Sequence, residues 1–295
     1  MNFLTFDIEE WYIEKFFYGG KADKYKEYDS ILDKILHLLD EQNLKGTFFC
    51  VGEMGRFFPE VIKKIHQRGH EIGCHSNKHT WINKMSKKEL FDDTKQAIDS
   101  LEQCIGEKVE SYRAPAFSIG ENNNWAFEIL AECGIKNDSS VFPAGRDFGG
   151  FPSFTSRTPC IVKTRDYTIK EFPIPTTKIL GKEFAYCGGG YFRFFPLWFV
   201  KHEMEKSDYS MTYFHIADLL TDKDKLMSKD EYEIYFKESG TFINRYKRYL
   251  KANIGKGHSL NKLTYLIQSF PFNNLKESSN IIDWDSSSII KLEKE

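Results

Sequence analysis

Four short apolar runs, at residues 3–6, 47–51, 71–74 and 109–112, each give way to a polar residue, and stretches of helical periodicity lie between them. Strands that alternate with helices must cover their apolar faces with those helices, so the pattern selects parallel βα units and an α/β architecture. One helix is predicted over 29–41, where Ile31, Leu32, Ile35, Leu36, Leu38 and Leu39 recur at helical spacing ahead of Asn43 and Gly46. A second opens near Phe58, with Pro59 in its first turn and Gly69 beyond its end. Ser86 and Glu89 have the spacing of a capping box for a third, which Gly106 closes. A fourth runs over 125–133. Segment 8–20, acidic and aromatic and then glycine-rich, is expected to be a loop.

Asp7, His75, His79, Arg113 and Asp138 all fall at or just after the C-terminal ends of predicted strands. That rim carries the site in a parallel barrel and in an open doubly wound sheet alike. Proline and glycine punctuate 140–195, with short strands expected at 160–163 and 168–172. Gly188-Gly189-Gly190 permits a close backbone approach or an unusual turn. A helix over 196–206 and a strand over 210–215, ending on His215, follow. Residues 223–270 are expected to form charged helices with an apolar side made by Tyr232, Tyr235, Phe236, Phe242, Ile243, Tyr246, Tyr249 and Leu250. The expected organisation is one domain over 1–272 and a polar tail over 273–295.

Lys and Arg (41) nearly balance Asp and Glu (43), so charge gives no reason to expect a nucleic-acid partner. Six scattered cysteines with no C-x-x-C pair fit a reducing compartment and supply no closed structural zinc site. With no leader pattern at residues 1–7 and no apolar run of membrane-spanning length, the expected location is the cytoplasm, with a peripheral contact at the inner face of the membrane left open. Oligomeric state is not set by the sequence.

Chemistry concentrates around Gly69-His70-Glu71-Ile72-Gly73-Cys74-His75-Ser76-Asn77-Lys78-His79, where two histidines four apart leave a strand on a polar loop. Neutral imidazole is the commonest ligand for zinc-like metals, though an isolated pair is more often two exposed histidines. Asp7-Ile8-Glu9 offers two carboxylates leaving the first strand; one can hold a metal while the other takes a proton from water. Alone, each is more readily a turn or surface carboxylate. Arg113, in Arg113-Ala114-Pro115, can clamp a carboxylate and keep it ionised and oriented. His215 is equally a core-edge histidine or a general acid.

Taken together, Thr5-Phe6-Asp7-Ile8-Glu9, His75-Ser76-Asn77-Lys78-His79, Arg113-Ala114-Pro115 and Tyr213-Phe214-His215 occur in the order seen in the polysaccharide deacetylases, carbohydrate esterase family 4, with the NodB homology domain. The resemblance spans roughly residues 1 to 220. Arg113–Ser118, Gly188–Arg193 and the C-terminal helices look more like the subgroup of exopolysaccharide and surface-glycan gene clusters. The resemblance implies a distorted (β/α) barrel with about seven parallel units plus C-terminal helices, and one divalent metal, Zn2+ in the first instance. It makes Glu9, His75 and His79 the metal ligands, with Glu10 as the alternative to Glu9. Asp7 becomes the general base, Arg113 the residue that orients it, and His215 the general acid. Substrate contacts fall to the Ala116 N–H, Phe117, Tyr191 and Arg193, and Asp138 is matched to the aspartate that tunes the acid histidine.

Two departures stand out: Asp-Ile-Glu-Glu replaces paired aspartates, and Ala116 stands where an aromatic wall is usual. The implied activity is removal of an N-acetyl group from a sugar in a surface-glycan or lipid-linked saccharide by a water activated at the metal. The alternatives are hydrolysis of another non-peptide C–N bond, as in cyclic amides and imides, or an inactive glycan-binding protein.

Overall fold

The computed structural model describes residues 1–146, 149–236 and 238–292. Among them the main sheet has nine strands, in the order Phe214–His215, Thr5–Ile8, Thr47–Cys50, Glu71–Cys74, Ser111–Tyr112, Asn137–Asp138, Thr168–Glu171, Cys160–Lys163 and Ile289–Lys291. The first seven of these run parallel to one another, and Cys160–Lys163 is antiparallel to Thr168–Glu171. Helices Ala22–Glu41, Pro59–Gln67 and Lys87–Ile105 connect successive members of that array, as the spacing of apolar runs requires. The capping box is present: the Ser86 hydroxyl accepts from the Glu89 N–H, and the Glu89 carboxylate accepts from Ser86.

Side chains alternate across each strand and divide the core in two. Leu4, Phe6, Ile8, Phe48, Cys50, Ile72 and Cys74 pack outward against the helices. Phe3, Phe49, Phe172 and Met211 form part of a second cluster on the inner face. There Phe3, which precedes Thr5–Ile8, meets Phe172, which follows Thr168–Glu171, edge-on at 5.3 Å, although those two strands lie near opposite ends of the parallel array. The Tyr209 hydroxyl also donates to the Pro173 carbonyl at 2.8 Å. The array is therefore curled, and its ends meet through side chains: a distorted barrel. Gly73 makes room inside it, because a Cβ there would lie 2.6 Å from the Phe49 ring.

Four expectations need correction. Segment 8–20 holds a helix, Glu10–Phe17, which buries Trp11, Tyr12 and Ile13; no side chain caps its start, so the usual signal is missing. A further helix, Gly52–Phe57, precedes the one at Pro59. The expected polar tail is built into the fold. Asn274 caps helix Leu275–Ile281, Leu275 is fully buried, and Ile289–Lys291 pairs with Cys160–Lys163. Residues 293–295 lie outside the described residues. The expected strand at 210–215 is in two pieces, Ser210–Met211 and Phe214–His215, with the Thr212 hydroxyl between them accepting from the Thr5 N–H at 2.9 Å.

Candidate active site

Parallel pairing brings Asp7 and His215 into register on neighbouring strands. His75 and Arg113 each follow the last residue of a strand, and Glu9 lies just past Thr5–Ile8, so all five converge on one rim. His79 reaches the same point because its loop doubles back: Ser76 and His79 have φ values of 60° and 56°. Outside glycine such backbone costs free energy and persists where surrounding contacts over-determine it. Here the Gly52 and Glu53 N–H groups donate to the Ser76 and Asn77 carbonyls, and half-buried Asp93 accepts from the Asn77 N–H at 2.8 Å. Desolvation, opposed by the Asn77 and Lys78 N–H groups, pushes Asp93 up to about 6.

Glu9, His75 and His79 each present a ligand atom within 4.8 Å of the others. His75 Nδ1 lies 2.7 Å from the Arg113 carbonyl. A carbonyl only accepts, so Nδ1 carries the proton and Nε2 turns its lone pair toward Glu9. Glu9 Oε2 is 2.5 Å from His79 Nε2 and 3.5 Å from His75 Nε2. That oxygen is buried without a hydrogen-bond partner. An imidazole nitrogen and a carboxylate oxygen this close share a proton or a metal cation, and two imidazoles with one carboxylate suit a zinc-like ion with open positions. Burial alone would raise Glu9, yet His79, His215 and His75 hold its carboxyl well below the ordinary range. Glu10 points elsewhere, accepting from the Ala217 N–H at 2.7 Å; burial and then the Glu9 charge push it up to about 8.

Arg113 is fully buried. Its Nη1 donates to Asp7 Oδ1 at 2.9 Å and to the Thr5 hydroxyl at 2.7 Å, and its Nη2 donates to the Ser139 hydroxyl at 3.0 Å. The guanidinium lies 4.3 Å from the centre of the Phe49 ring, which fills the space that Gly73 leaves. Asp7 Oδ2 is left facing His215 Nε2 at 3.8 Å.

Asp218 fixes the other side of the His215 ring, with Oδ2 3.0 Å from Nδ1 and 3.2 Å from the His215 N–H. Burial works against charge on His215, but Glu9, Asp218 and Asp7 hold its imidazole well above the ordinary histidine value. Sequence reasoning missed Asp218; the His215-x-x-Asp218 spacing at a helix start was the available signal. Asp138, matched to the tuning aspartate, instead binds Ser140 and pairs with buried Glu171 on the next strand. Burial raises Asp138, and burial with the Asp138 charge holds Glu171 well above the carboxylate range.

The expected substrate contacts separate. Ala116 has φ 56° and, among the described residues, its N–H makes no hydrogen bond. Phe117 is a buried ring packed edge-on against Tyr213 at 5.1 Å, so it belongs to the core rather than to an exposed wall. Tyr191 is half-buried and stacks on Phe142. Arg193 is turned inward: Nε lies 3.2 Å from Asp218 Oδ1, Nη2 donates to the Lys251 carbonyl at 2.9 Å, and Nη1 donates to the Ala252 carbonyl.

Residues 3–137 match a family model described as polysaccharide deacetylase, and residues 139–280 match a domain of unknown function, DUF3473. A peptidoglycan-N-acetylglucosamine deacetylase of Bacillus cereus is 34% identical over 96 residues, 32% of this chain and 35% of that protein. The uncharacterized protein YlxY of Bacillus subtilis is 33% identical over 88 residues, 30% of this chain and 28% of its own length. These matches span about a third of each relative. A crystal structure from Mycobacterium smegmatis, of a candidate polysaccharide deacetylase, superimposes with a TM-score of 0.65 at 17% identity, covering 100% of this chain and 93% of the other; that likeness is one of fold.

Proposed function

Because the chain belongs to the polysaccharide deacetylase family through residues 3–137, we propose that it hydrolyses the N-acetyl group of an N-acetylated saccharide at the Glu9–His75–His79 centre. The observation that carries this reading is the opposition of Asp7 Oδ2 and His215 Nε2, 3.8 Å apart beside the ligand cluster, each locked from behind by its own partner. Glu9, His75 and His79 would hold a zinc-like divalent ion, which would supply Lewis acidity toward an acetyl carbonyl and water.

Asp7, oriented by Arg113, takes a proton from the water that adds to the acetyl carbon. The Ala116 N–H, unspent on the described residues, is free to donate to the carbonyl oxygen as charge develops there. His215 Nε2 delivers a proton to the nitrogen as the C–N bond breaks, which releases acetate and a free amine. Asp218 keeps the His215 Nδ1–H in place throughout, so the proton delivered is the one on Nε2. A complete set of acid, base and ligand groups supports turnover over a binding-only role. We place the substrate in a surface-glycan or lipid-linked saccharide.

The test is acetate release from a panel of N-acetylated oligosaccharides by protein carrying about one equivalent of zinc. Release is expected from the parent and not from Asp7→Asn, which should keep its metal. No acetate from any N-acetyl sugar, with metal bound, would overturn the reading.

A further inference from the structure

Helix Phe242–Asn253 is inside out for a surface helix. Phe242, Ile243, Tyr246, Leu250 and, just beyond the helix, Ile254 are each between 44% and 64% exposed. Positions 242, 246, 250 and 254 fall one turn apart and make a single stripe. Two of its polar residues are turned to the protein instead: Arg245 donates to the Gly240 and Met227 carbonyls, and Asn253 bonds both backbone groups of Asp224. No residue of the helix is buried, so its apolar side was not spent on the core. A row of large apolar groups left in water this way marks a contact surface.

The stripe continues onto a second element. A Cβ on Gly255 would lie 2.1 Å from the Arg193 carbonyl oxygen, so the chain just past Ile254 is seated on Arg193. Phe194 follows, exposed, and Trp198 is 71% exposed. The Arg193 bonds to the carbonyls of Lys251 and Ala252 hold the two elements together.

Charge names the partner. Residues 241–254 contain four Lys or Arg (Arg245, Lys247, Arg248, Lys251) and no Asp or Glu, in a chain whose net charge is −2. Exposed Lys247 and Lys251 flank the apolar stripe. Aromatic and aliphatic groups in a row, bordered by cations, are the composition of a helix that lies in the headgroup layer, with Trp and Tyr at the depth they favour. No described helix is long and apolar enough to cross a bilayer, which fits lying on it. A second copy is a poor occupant, since a two-fold contact through this surface would bring basic segments face to face.

We propose that helix Phe242–Asn253, with Phe194 and Trp198, docks the chain on the anionic headgroup surface of a membrane. This goes beyond the hydrolytic reading, and its test needs no substrate. The full chain is sedimented with vesicles of phosphatidylcholine alone and with about one-third phosphatidylglycerol. The bound fraction should rise at least about tenfold with the anionic lipid and fall as salt is added. Tyr246→Ser with Leu250→Ser should reduce binding by about tenfold or more, and Lys247→Glu with Lys251→Glu should return it to the phosphatidylcholine level. All four positions are exposed, and a circular-dichroism spectrum checks that each variant is folded. Binding indifferent to anionic lipid, or equal for parent and variants, would overturn the proposal. So would a concentration-dependent dimer that the stripe variants dissolve while vesicles bind neither form.

Discussion

Asp218→Asn should disable the acid without disturbing the metal ligands. Each close neighbour of the carboxylate is a donor: the His215 N–H, the His215 ring at Nδ1 and Arg193 Nε. An amide has one acceptor oxygen and so cannot serve both sides. With its oxygen toward His215, its NH2 opposes Arg193; flipped, it opposes the His215 donors. A hydrogen bond to a charged group contributes about 1.5–3 kcal/mol. The His215 side chain is 31% exposed, which screens part of that. A loss of about 2 kcal/mol from transition-state stabilisation lowers kcat/KM about thirtyfold. The sign of the pH effect follows from the same contacts. Asp218 is among the groups that raise His215, so removing its charge lowers that pKa, and the alkaline limb of the rate profile moves to lower pH. Acetate release followed across about pH 6 to 9 measures both effects. A variant within twofold of the parent, with its alkaline limb unmoved, would refute the argument.

Glu9→Gln should lower zinc affinity by more than about tenfold in a competition titration with a chelator, since even indirect partners of metal ligands contribute that much; unchanged affinity would remove Glu9 from the centre. Arg113→Met leaves Asp7 buried without its counter-charge and should cost about 3–5 kcal/mol in urea unfolding, whereas a loss under about 1 kcal/mol would mean that the pair is not desolvated. Glu171 is raised in the folded state, so its contribution to stability is full below the ordinary carboxylate pKa and is lost as pH rises. Glu171→Gln should therefore lose less stability than the parent between about pH 5 and 8 in the same assay, and an equal loss would count against a proton held between Asp138 and Glu171.

The parallel architecture was legible because the strands are continuous apolar runs, and a strand buried on both faces reads that way. Asp7, His75, Arg113 and His215 were visible for the same reason, as polar residues where those runs stop. Helix Glu10–Phe17 was not legible: it has no capping side chain, and the burial of Trp11 and Tyr12 holds it. The integration of residues 275–291 escaped because its determinants are distant, such as the Thr47 hydroxyl accepting from the Leu275 N–H and the ladder to Cys160–Lys163. Arg193 shows the limit from the other direction. An arginine after a glycine run suggests a ligand contact, but its fork is occupied by Asp218 and two helix carbonyls. The apolar side of 242–250 was plain in the sequence, and nothing in its periodicity told which way it faces.

The register between Thr5–Ile8 and Phe214–His215 also sets a timetable for the growing chain. Glu9, His75 and His79 leave the ribosome early, and the strands that carry them can pair as soon as residue 74 has emerged. His215 and its partner Asp218 arrive only after the five parallel strands from Thr47 to Glu171 have been made, and Ile289–Lys291 covers the edge of Cys160–Lys163 later still. A nascent chain can therefore assemble its ligand cluster long before it has an acid to deliver a proton. On the proposed mechanism, a truncation ahead of Phe214–His215 that spares every ligand would leave the molecule without its proton donor.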